Sequence, residues 1–394
     1  MSINAVRKKW LRRGLAAVVL IGAITFAAAH LARLPTPPTI ISMALALEPE
    51  SGSYEYFDVA ELAASSQPRH FVQEARKIDT LLPWHDGTRI NLDEFQEKTH
   101  TQALLILHKD KLVYENYRDG NTRESLFTSF SVAKSMLSAL VGIAVQEGKI
   151  KSLDDPIGNY LPDLAPAYAR IRINDLLNMR SGVDVPEVYD SPFSKIAYMY
   201  ATTDLNQFIA DLQAVPLKPA GRYNYRSVDY LLLGQVLRQA SGGTLTNYLE
   251  QKLWQPMGAE YGASWSVDSS DNLVEKGFCC INARAIDFLK FGALYLHQGR
   301  NGERQILPPG WLKPQSPPMR ENDQFSYSDG WWIPLHNLDS GDFSAIGVYG
   351  QYIYISPKNQ TVIVKFSDHG AEEDEGLTVA AFHEIAATLA RSKH

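Results

Sequence analysis

Ser131 and Lys134 lie three residues apart in the segment FSVAKSML and are the first candidates for chemistry. Residues at this spacing share one face of a helix, so the lysine amine can approach the serine hydroxyl. A serine hydroxyl attacks an acyl group only when a base takes its proton, and a desolvated lysine with a lowered pKa is such a base. The pair alone is also compatible with a helix cap followed by a solvated lysine.

A helix that begins near Ser131 would position both groups. Apolar residues recur at helical spacing after it, and Gly148 fits a C-terminal cap, which together predict a helix of about four turns. The N–H groups and the partial positive charge of its N-terminus favour an oxyanion and depress the pKa of Lys134.

Tyr225 and Ser227 precede a second predicted helix, which starts near Asp229 and stops at Gly242. Helix capping explains Ser227 and Asp229, but no local role explains Tyr225. A tyrosine near a lysine can exist partly as phenolate or can relay a proton to a leaving group. Viewed alone, Tyr225 is also compatible with an ordinary half-buried aromatic residue.

Gly347 and Gly350 interrupt a late apolar strand that contains Ala345 and Val348. Glycine in a strand marks a bulge or the close approach of another backbone. A backbone N–H of this strand would then complete an oxyanion hole with the N–H of Ser131. A bulge that relieves strand twist explains the glycines equally well.

The elements that must bring these groups together follow a simple order. Residues 101–120 contain two β-prone runs around a polar turn and predict a hairpin. Helical patterns dominate from there to residue 299, strands return near residue 327, and an amphipathic helix ends the chain. This order predicts an antiparallel sheet whose halves meet across an inserted, mainly helical region at about residues 127–326, with a ligand cleft between the two parts.

The three motifs, in this order and inside a β-α-β frame, resemble the serine β-lactamase and penicillin-binding superfamily. The chain is most similar to class C β-lactamase-related hydrolases of the esterase and nylon-oligomer (6-aminohexanoate-dimer) hydrolase branch. The resemblance covers residues 69–394 and implies an α/β (α+β) fold of the β-lactamase/transpeptidase type. It further implies an acyl-enzyme on Ser131, with Lys134 as general base and Tyr225 as proton shuttle to the leaving group. The oxyanion hole would consist of the N–H groups of Ser131 and Val348.

Two departures from the superfamily pattern shape the expected substrate. Ser227 stands where β-lactamases and penicillin-binding proteins have asparagine, and Ala345-Ile346-Gly347 lacks the strand lysine or histidine that holds a β-lactam carboxylate. We therefore predict small ester or amide substrates without such a carboxylate. Ser227, Gly347, Gly350 and Trp331 are the predicted substrate contacts. The alternatives are a D-alanyl carboxypeptidase or β-lactamase, and a membrane-tethered binding protein without catalysis.

The N-terminus has the layout of an export signal. Five basic residues precede an apolar run at residues 14–29, so residues 1–33 predict either a cleaved signal peptide or a membrane anchor. Residues 34–68 are predicted to be a proline-bearing linker and a segment that wraps the domain surface. We expect the catalytic domain to lie outside the cytoplasm, in the periplasm or anchored to the membrane. The net charge of -6 argues against nucleic acid as a partner, and the sequence leaves the oligomeric state open.

No metal or organic cofactor is expected. The histidines show no His-Glu-x-x-His pairing, and the two cysteines, Cys279 and Cys280, are adjacent and lack neighbouring ligands at metal-binding spacing. The pair is compatible with a vicinal disulfide, but such a bond is strained, and two buried apolar thiols are the favoured interpretation.

Overall fold

The computed structural model describes residues 20–45, 52–189, 191, 193–315, 318–320, 322–368 and 375–392. The first part of the predicted export signal, before residue 20, lies outside the described residues. Within the described ranges, no helix has the length and apolar character needed to cross a membrane.

The described strands run from the N-terminal linker to the last third of the chain. They are β1 (Val59–Leu62), β2 (Val72–Gln73), β3 (Leu82–Pro83), β4 (Arg89–Ile90), β5 (Thr101–His108), β6 (Lys111–Tyr117), β7 (Phe127–Thr128), β8 (Ala263–Ser266), β9 (Ile281–Ala283), β10 (Arg300–Asn301), β11 (Arg304–Gln305), β12 (Met319–Arg320), β13 (Phe325–Ser328), β14 (Trp331–Pro334), β15 (Phe343–Gly347), β16 (Gln351–Ser356) and β17 (Thr361–Ser367).

The helices fill the middle of the chain and close its end. They are α1 (residues 20–31), α2 (Pro37–Leu45), α3 (Leu92–Lys98), α4 (Val132–Gln146), α5 (Pro166–Ala169), α6 (Ile173–Leu177), α7 (Lys195–Ala201), α8 (Leu205–Leu212), α9 (Ser227–Ser241), α10 (Leu245–Leu249), α11 (Ala285–Leu296) and α12 (Glu375–Arg391). Short 3-10 or π turns occupy Ser53–Tyr56, His85–Gly87, Ile157–Asn159, Glu250–Trp254, Pro309–Trp311 and Leu335–Ser340.

The main sheet joins the two ends of the chain, as the sequence predicts. Among the described residues its strand order is β12-β13-β14-β15-β16-β17-β5-β6-β2, so the last strands pair directly with the first hairpin. That hairpin turns at Lys109 and Asp110, which both have positive φ. A turn with positive φ at two consecutive residues has a twist that matches the right-handed twist of the flanking strands. A two-residue connection is therefore sufficient here.

Alternating side chains of β5 hold helices on both faces of the main sheet. Leu105 and Leu107 lie in the core cluster that contains Phe288 of α11, whereas Leu104 and Ile106 lie in the cluster that contains Phe382 of α12. Successive side chains of a strand point to opposite faces, so a strand that is apolar throughout is buried on both sides. The sheet is therefore the middle layer of three.

A second, smaller sheet joins strands of the inserted region to β1 of the N-terminal segment. Its strand order is β1-β8-β9-β7, and Thr128 of β7 pairs with Asn282 of β9. The chain leaves β7 and enters α4 within three residues, Ser129 to Ser131. The small sheet thus fixes where α4 begins.

Candidate active site

Ser131 lies at the position preceding the first turn of α4, where the sequence places it. The Lys134 Nζ atom lies 2.8 Å from the Ser131 Oγ atom and 2.7 Å from the carbonyl oxygen of Phe278. A neutral amine has one lone pair, so donation of an N–H to the Phe278 carbonyl leaves the lone pair for the serine proton. The serine and the lysine are therefore close enough for direct proton transfer.

Burial prepares Lys134 for that transfer. Its side chain lies inside the protein and is 1% exposed. Loss of hydration disfavours the charged ammonium and lowers the pKa of Lys134 from 10.5 to about 7, although the charge of Glu187 opposes this shift. Near neutral pH a large fraction of the side chain is the free amine, the form that a general base requires.

A short strained turn presents Ser131. Phe130 has φ +41°, a region that bulky residues seldom adopt. The turn is held by backbone hydrogen bonds from Ser129 N–H to the Ile281 carbonyl, at 2.9 Å, and from Cys280 N–H to the Phe130 carbonyl, at 3.3 Å. Strain at a single residue persists only when surrounding contacts impose it, and here β9 and its preceding turn do so.

Tyr225 lies beside the serine–lysine pair. Its hydroxyl forms a hydrogen bond with Ser131, and Lys134 Nζ lies 5.2 Å from the centre of its ring. Burial is the main cause that raises the pKa of Tyr225 well above 10, and neighbouring Tyr327 raises it further. Of the two roles left open by the sequence, this environment disfavours a phenolate and favours a protonated hydroxyl that relays a proton.

Gly347 allows the end of β15 to pass next to the nucleophile. A Cβ atom at this position would lie 2.6 Å from the Ser129 carbonyl oxygen and 3.1 Å from the Ser131 nitrogen. Any larger residue would therefore displace the strand or the turn. Val348 follows immediately and lines the same cavity as Ser131, and its N–H stays a predicted member of the oxyanion hole. Gly350 lies one turn further on, against Ser367, and is not among the residues that line this cavity.

A cavity of about 280 Å³ opens over these groups. It is lined by Ser131, Glu187, Tyr189, Asn224, Tyr225, Arg226, Trp332, Ile346, Val348 and Glu375. Trp332 stacks on Tyr225 with ring centres 5.3 Å apart. Trp331, the predicted substrate contact, instead packs in the core against Phe343. The tryptophan that faces the cavity is therefore Trp332 and not Trp331, because neighbouring residues of a strand point to opposite faces of the sheet.

Glu187 is a site residue that the sequence does not reveal. Its carboxylate accepts hydrogen bonds from the Ser227 backbone N–H and hydroxyl, at 2.5 and 3.0 Å, and from the hydroxyl of Tyr189. Ser227 is fully buried, so its hydroxyl bonds to Glu187 rather than serving as the predicted substrate contact. A lone glutamate in a loop carries no motif, and only the folded loop brings it to the site.

The bonding of the two cysteines differs from the interpretation that the sequence favours. Cys279 and Cys280 are buried, as predicted, but they form a vicinal disulfide instead of two thiols. Cys280 has φ +70°, and Cys279 N–H donates to the Lys276 carbonyl. This tight turn holds the two sulfur atoms close enough to bond, a constraint that residue spacing alone does not show. In the parts of the chain that the structure describes, no cluster of three or more His, Cys, Asp or Glu side chains could hold a metal.

The Beta-lactamase family profile matches residues 88–387. The chain belongs to the Beta-lactamase family. The 6-aminohexanoate-dimer hydrolase of Paenarthrobacter ureafaciens is 25% identical to it over 305 residues, which are 71% of this chain and 76% of that protein. As a member of this family, the protein is a serine hydrolase.

Two solved structures confirm the fold. The structure titled "Putative 6-aminohexanoate-dimer hydrolase from Bacillus anthracis" superposes with a TM-score of 0.78 at 23% identity, covering 87% of this chain and 94% of that one. A class C β-lactamase from Rhodobacter sphaeroides gives a TM-score of 0.58 at 15% identity, covering 75% of this chain and 97% of that one. The predicted β-lactamase/transpeptidase architecture is confirmed.

Proposed function

We propose that this Beta-lactamase family member hydrolyses small esters or amides through an acyl-enzyme on Ser131. The observation that carries the proposal is the 2.8 Å approach of Lys134 Nζ to the Ser131 hydroxyl inside a buried site. Neutral Lys134 takes the hydroxyl proton while the Ser131 oxygen attacks the acyl carbon. The carbonyl oxygen gains negative charge, which the N–H groups of Ser131 and Val348 stabilise.

Collapse of the tetrahedral intermediate needs a proton on the leaving group. Tyr225 gives its hydroxyl proton to the leaving alcohol or amine and regains a proton from the Lys134 ammonium, since both groups contact Ser131. A water molecule then attacks the acyl-enzyme, and the same two groups accept its proton and return one to Ser131. The products are a carboxylic acid and an alcohol or amine, and the enzyme ends in its starting state.

Replacement of Ser131 by alanine tests the proposal. Turnover of p-nitrophenyl butyrate should fall by about 10³-fold or more, since loss of a nucleophile leaves only residual catalysis by the rest of the site. Ser138 lies on the same helix, fully buried, with its hydroxyl donating to the Asp329 carbonyl. Ser138→Ala is thus a matched control that should retain most activity. Near-parental turnover by Ser131→Ala would remove Ser131 from the mechanism.

A fluorophosphonate probe separates this function from a binding protein that has lost catalysis. An adduct on Ser131, located by mass spectrometry of the digested protein, supports an activated serine. Unlabelled Ser131 in protein whose folding is verified by circular dichroism would support the binding role. Fluorescent penicillin in a parallel reaction tests the cell-wall alternative, and the strand without a cation leads us to expect little labelling.

We also propose that the catalytic domain acts outside the cytoplasm. The apolar run at residues 14–29 continues into α1, whose side chains Ile24 and Phe26 are exposed. Fractionation of cells that express the full chain tests this location. Activity recovered only from the cytosolic fraction would refute it.

A further inference from the structure

Arg226 lies where the active-site cavity meets a second one. The second cavity has a volume of about 410 Å³ and includes Ser181, Asp184, Lys218 and Asp229 in its wall. Asn224 and Arg226 line both cavities. A ligand that begins at the nucleophile therefore lies next to Arg226 in the active-site cavity.

The guanidinium of Arg226 has few hydrogen-bond partners within the protein. Its Nη1 atom donates to the Tyr225 carbonyl at 2.8 Å, and its buried Nε atom has no hydrogen-bond partner. Within the described part of the chain, no carboxylate lies within 4.0 Å of it as an ion-pair partner. A guanidinium has five N–H donors and stays charged, so most of its binding capacity is unused.

Of the residues that the structure describes, four acidic ones line the two cavities, and Glu375 lies in the wall of the active-site cavity with Glu187, whereas Asp184 forms an ion pair with Lys218. Glu187 accepts hydrogen bonds from Ser227 and Tyr189. Asp229 is fully buried and accepts a hydrogen bond from the Ser181 hydroxyl, and its burial raises its pKa to about 8. A protonated Asp229 cannot neutralise a cation at pH 7. The charge of Arg226 is therefore available to the cavity.

We propose that Arg226 binds a carboxylate of the substrate, so that the enzyme prefers esters or amides whose acyl group ends in a free carboxylate. The inference rests on the proposed hydrolase function and defines its substrate class. It revises the expectation from the strand Ala345-Ile346-Gly347, which has no cation. The cation of the site is instead Arg226, which directly follows Tyr225. A guanidinium and a carboxylate can form two parallel hydrogen bonds, which adds orientation to attraction.

A matched pair of esters tests the preference. Mono-p-nitrophenyl adipate has a free carboxylate, and its methyl ester is neutral and of similar length. The ratio of kcat/KM for the charged ester to that for the neutral ester should be roughly 10 to 100 in the parent, the range expected for a hydrogen bond to a charged group. Arg226→Gln should bring the ratio near one, mainly through KM, and Arg226→Lys should restore part of it.

Arg304→Gln is the charge-matched control, because exposed Arg304 lies in the β10–β11 hairpin and lines neither cavity. Its ratio should equal that of the parent. A parent ratio of one or below, or an Arg226→Gln ratio unchanged from the parent, would overturn the proposal.

Binding to the unmodified protein provides a readout that needs no turnover. Hexanoate and hexanol, titrated separately by calorimetry, compare a carboxylate with a neutral group on the same chain. Hexanoate should bind at least tenfold more tightly, and the difference should shrink at high salt. Equal affinities refute the role of Arg226 even if esters are hydrolysed. Preferential hexanoate binding without ester hydrolysis would instead refute the hydrolase and leave the carboxylate site standing.

Discussion

The pH dependence of acylation provides the most direct check on Lys134. Its lowered pKa of about 7 means that about half of the enzyme has the free amine at pH 7, and about a tenth at pH 6. An ordinary lysine with a pKa of 10.5 would be about 0.03% free amine at pH 7. Burial therefore increases the active fraction at neutral pH by roughly a thousandfold.

The assay is kcat/KM for a neutral ester measured from pH 5 to pH 9 in buffers of constant ionic strength, since this parameter reports groups of the free enzyme. We expect a rising limb of unit slope that bends near pH 7. Glu187→Gln removes the negative charge that raises the pKa of Lys134, so its limb should move to lower pH. A parent limb that bends above pH 9, or a Glu187→Gln limb that moves to higher pH, would refute the reasoning.

Protein stability offers a second measure of the same shift. Lys134 has a pKa of 10.5 when unfolded and about 7 when folded. Between these values the unfolded chain binds more protons, so stability rises with pH through this window. The unfolding free energy of Lys134→Met minus that of the parent should fall by about 1.4 kcal/mol per pH unit there. A difference that stays constant from pH 7 to pH 10 would show that burial does not shift this lysine.

Further substitutions test the rest of the site. Tyr225→Phe removes the relayed proton and should lower kcat by about 10²- to 10⁴-fold, with thiol or nitrophenol leaving groups affected less than amines. Gly347→Ala places a Cβ atom 2.6 Å from a backbone oxygen of the nucleophile turn. This substitution should lower stability by about 1–3 kcal/mol and remove most activity. The control Gly243→Ala has open space around it and should change neither stability nor activity. Trp331→Ala should destabilise the core by about 3–5 kcal/mol, whereas Trp332→Ala should mainly raise KM; the reverse pattern would contradict the assignment of the two faces of β14.

The fold was accessible from the sequence because its main elements have strong local signals. The β5–β6 hairpin, α4 with its C-terminal glycine, and α12 follow from apolar periodicity and turn residues. The order of the elements predicts that the two ends of the chain meet in one sheet, but periodicity does not show which individual strands pair, such as β17 with β5. The serine, lysine and tyrosine were identified because their spacing matched a known arrangement, and the structure brings them together.

The parts that were missed depend on contacts between distant segments. Glu187 and Arg226 have no motif, and their importance comes from what each bonds to or lacks once the loops fold. Adjacent Trp331 and Trp332 give no signal in the sequence of which one faces the core and which the cavity. General strain disfavours a vicinal disulfide, but the turn that allows it depends on hydrogen bonds to residues such as Phe130.

Whether Cys279 and Cys280 are bonded depends on the compartment in which the protein is produced. Phe278, whose carbonyl contacts the Lys134 amine, directly precedes the bonded pair. A reducing cytosol keeps cysteines as thiols, whereas an oxidising compartment lets them bond. Recombinant material from the two sources would therefore be two covalent species that differ by two hydrogen atoms next to the nucleophile's support, and intact-mass measurement before kinetics would tell them apart.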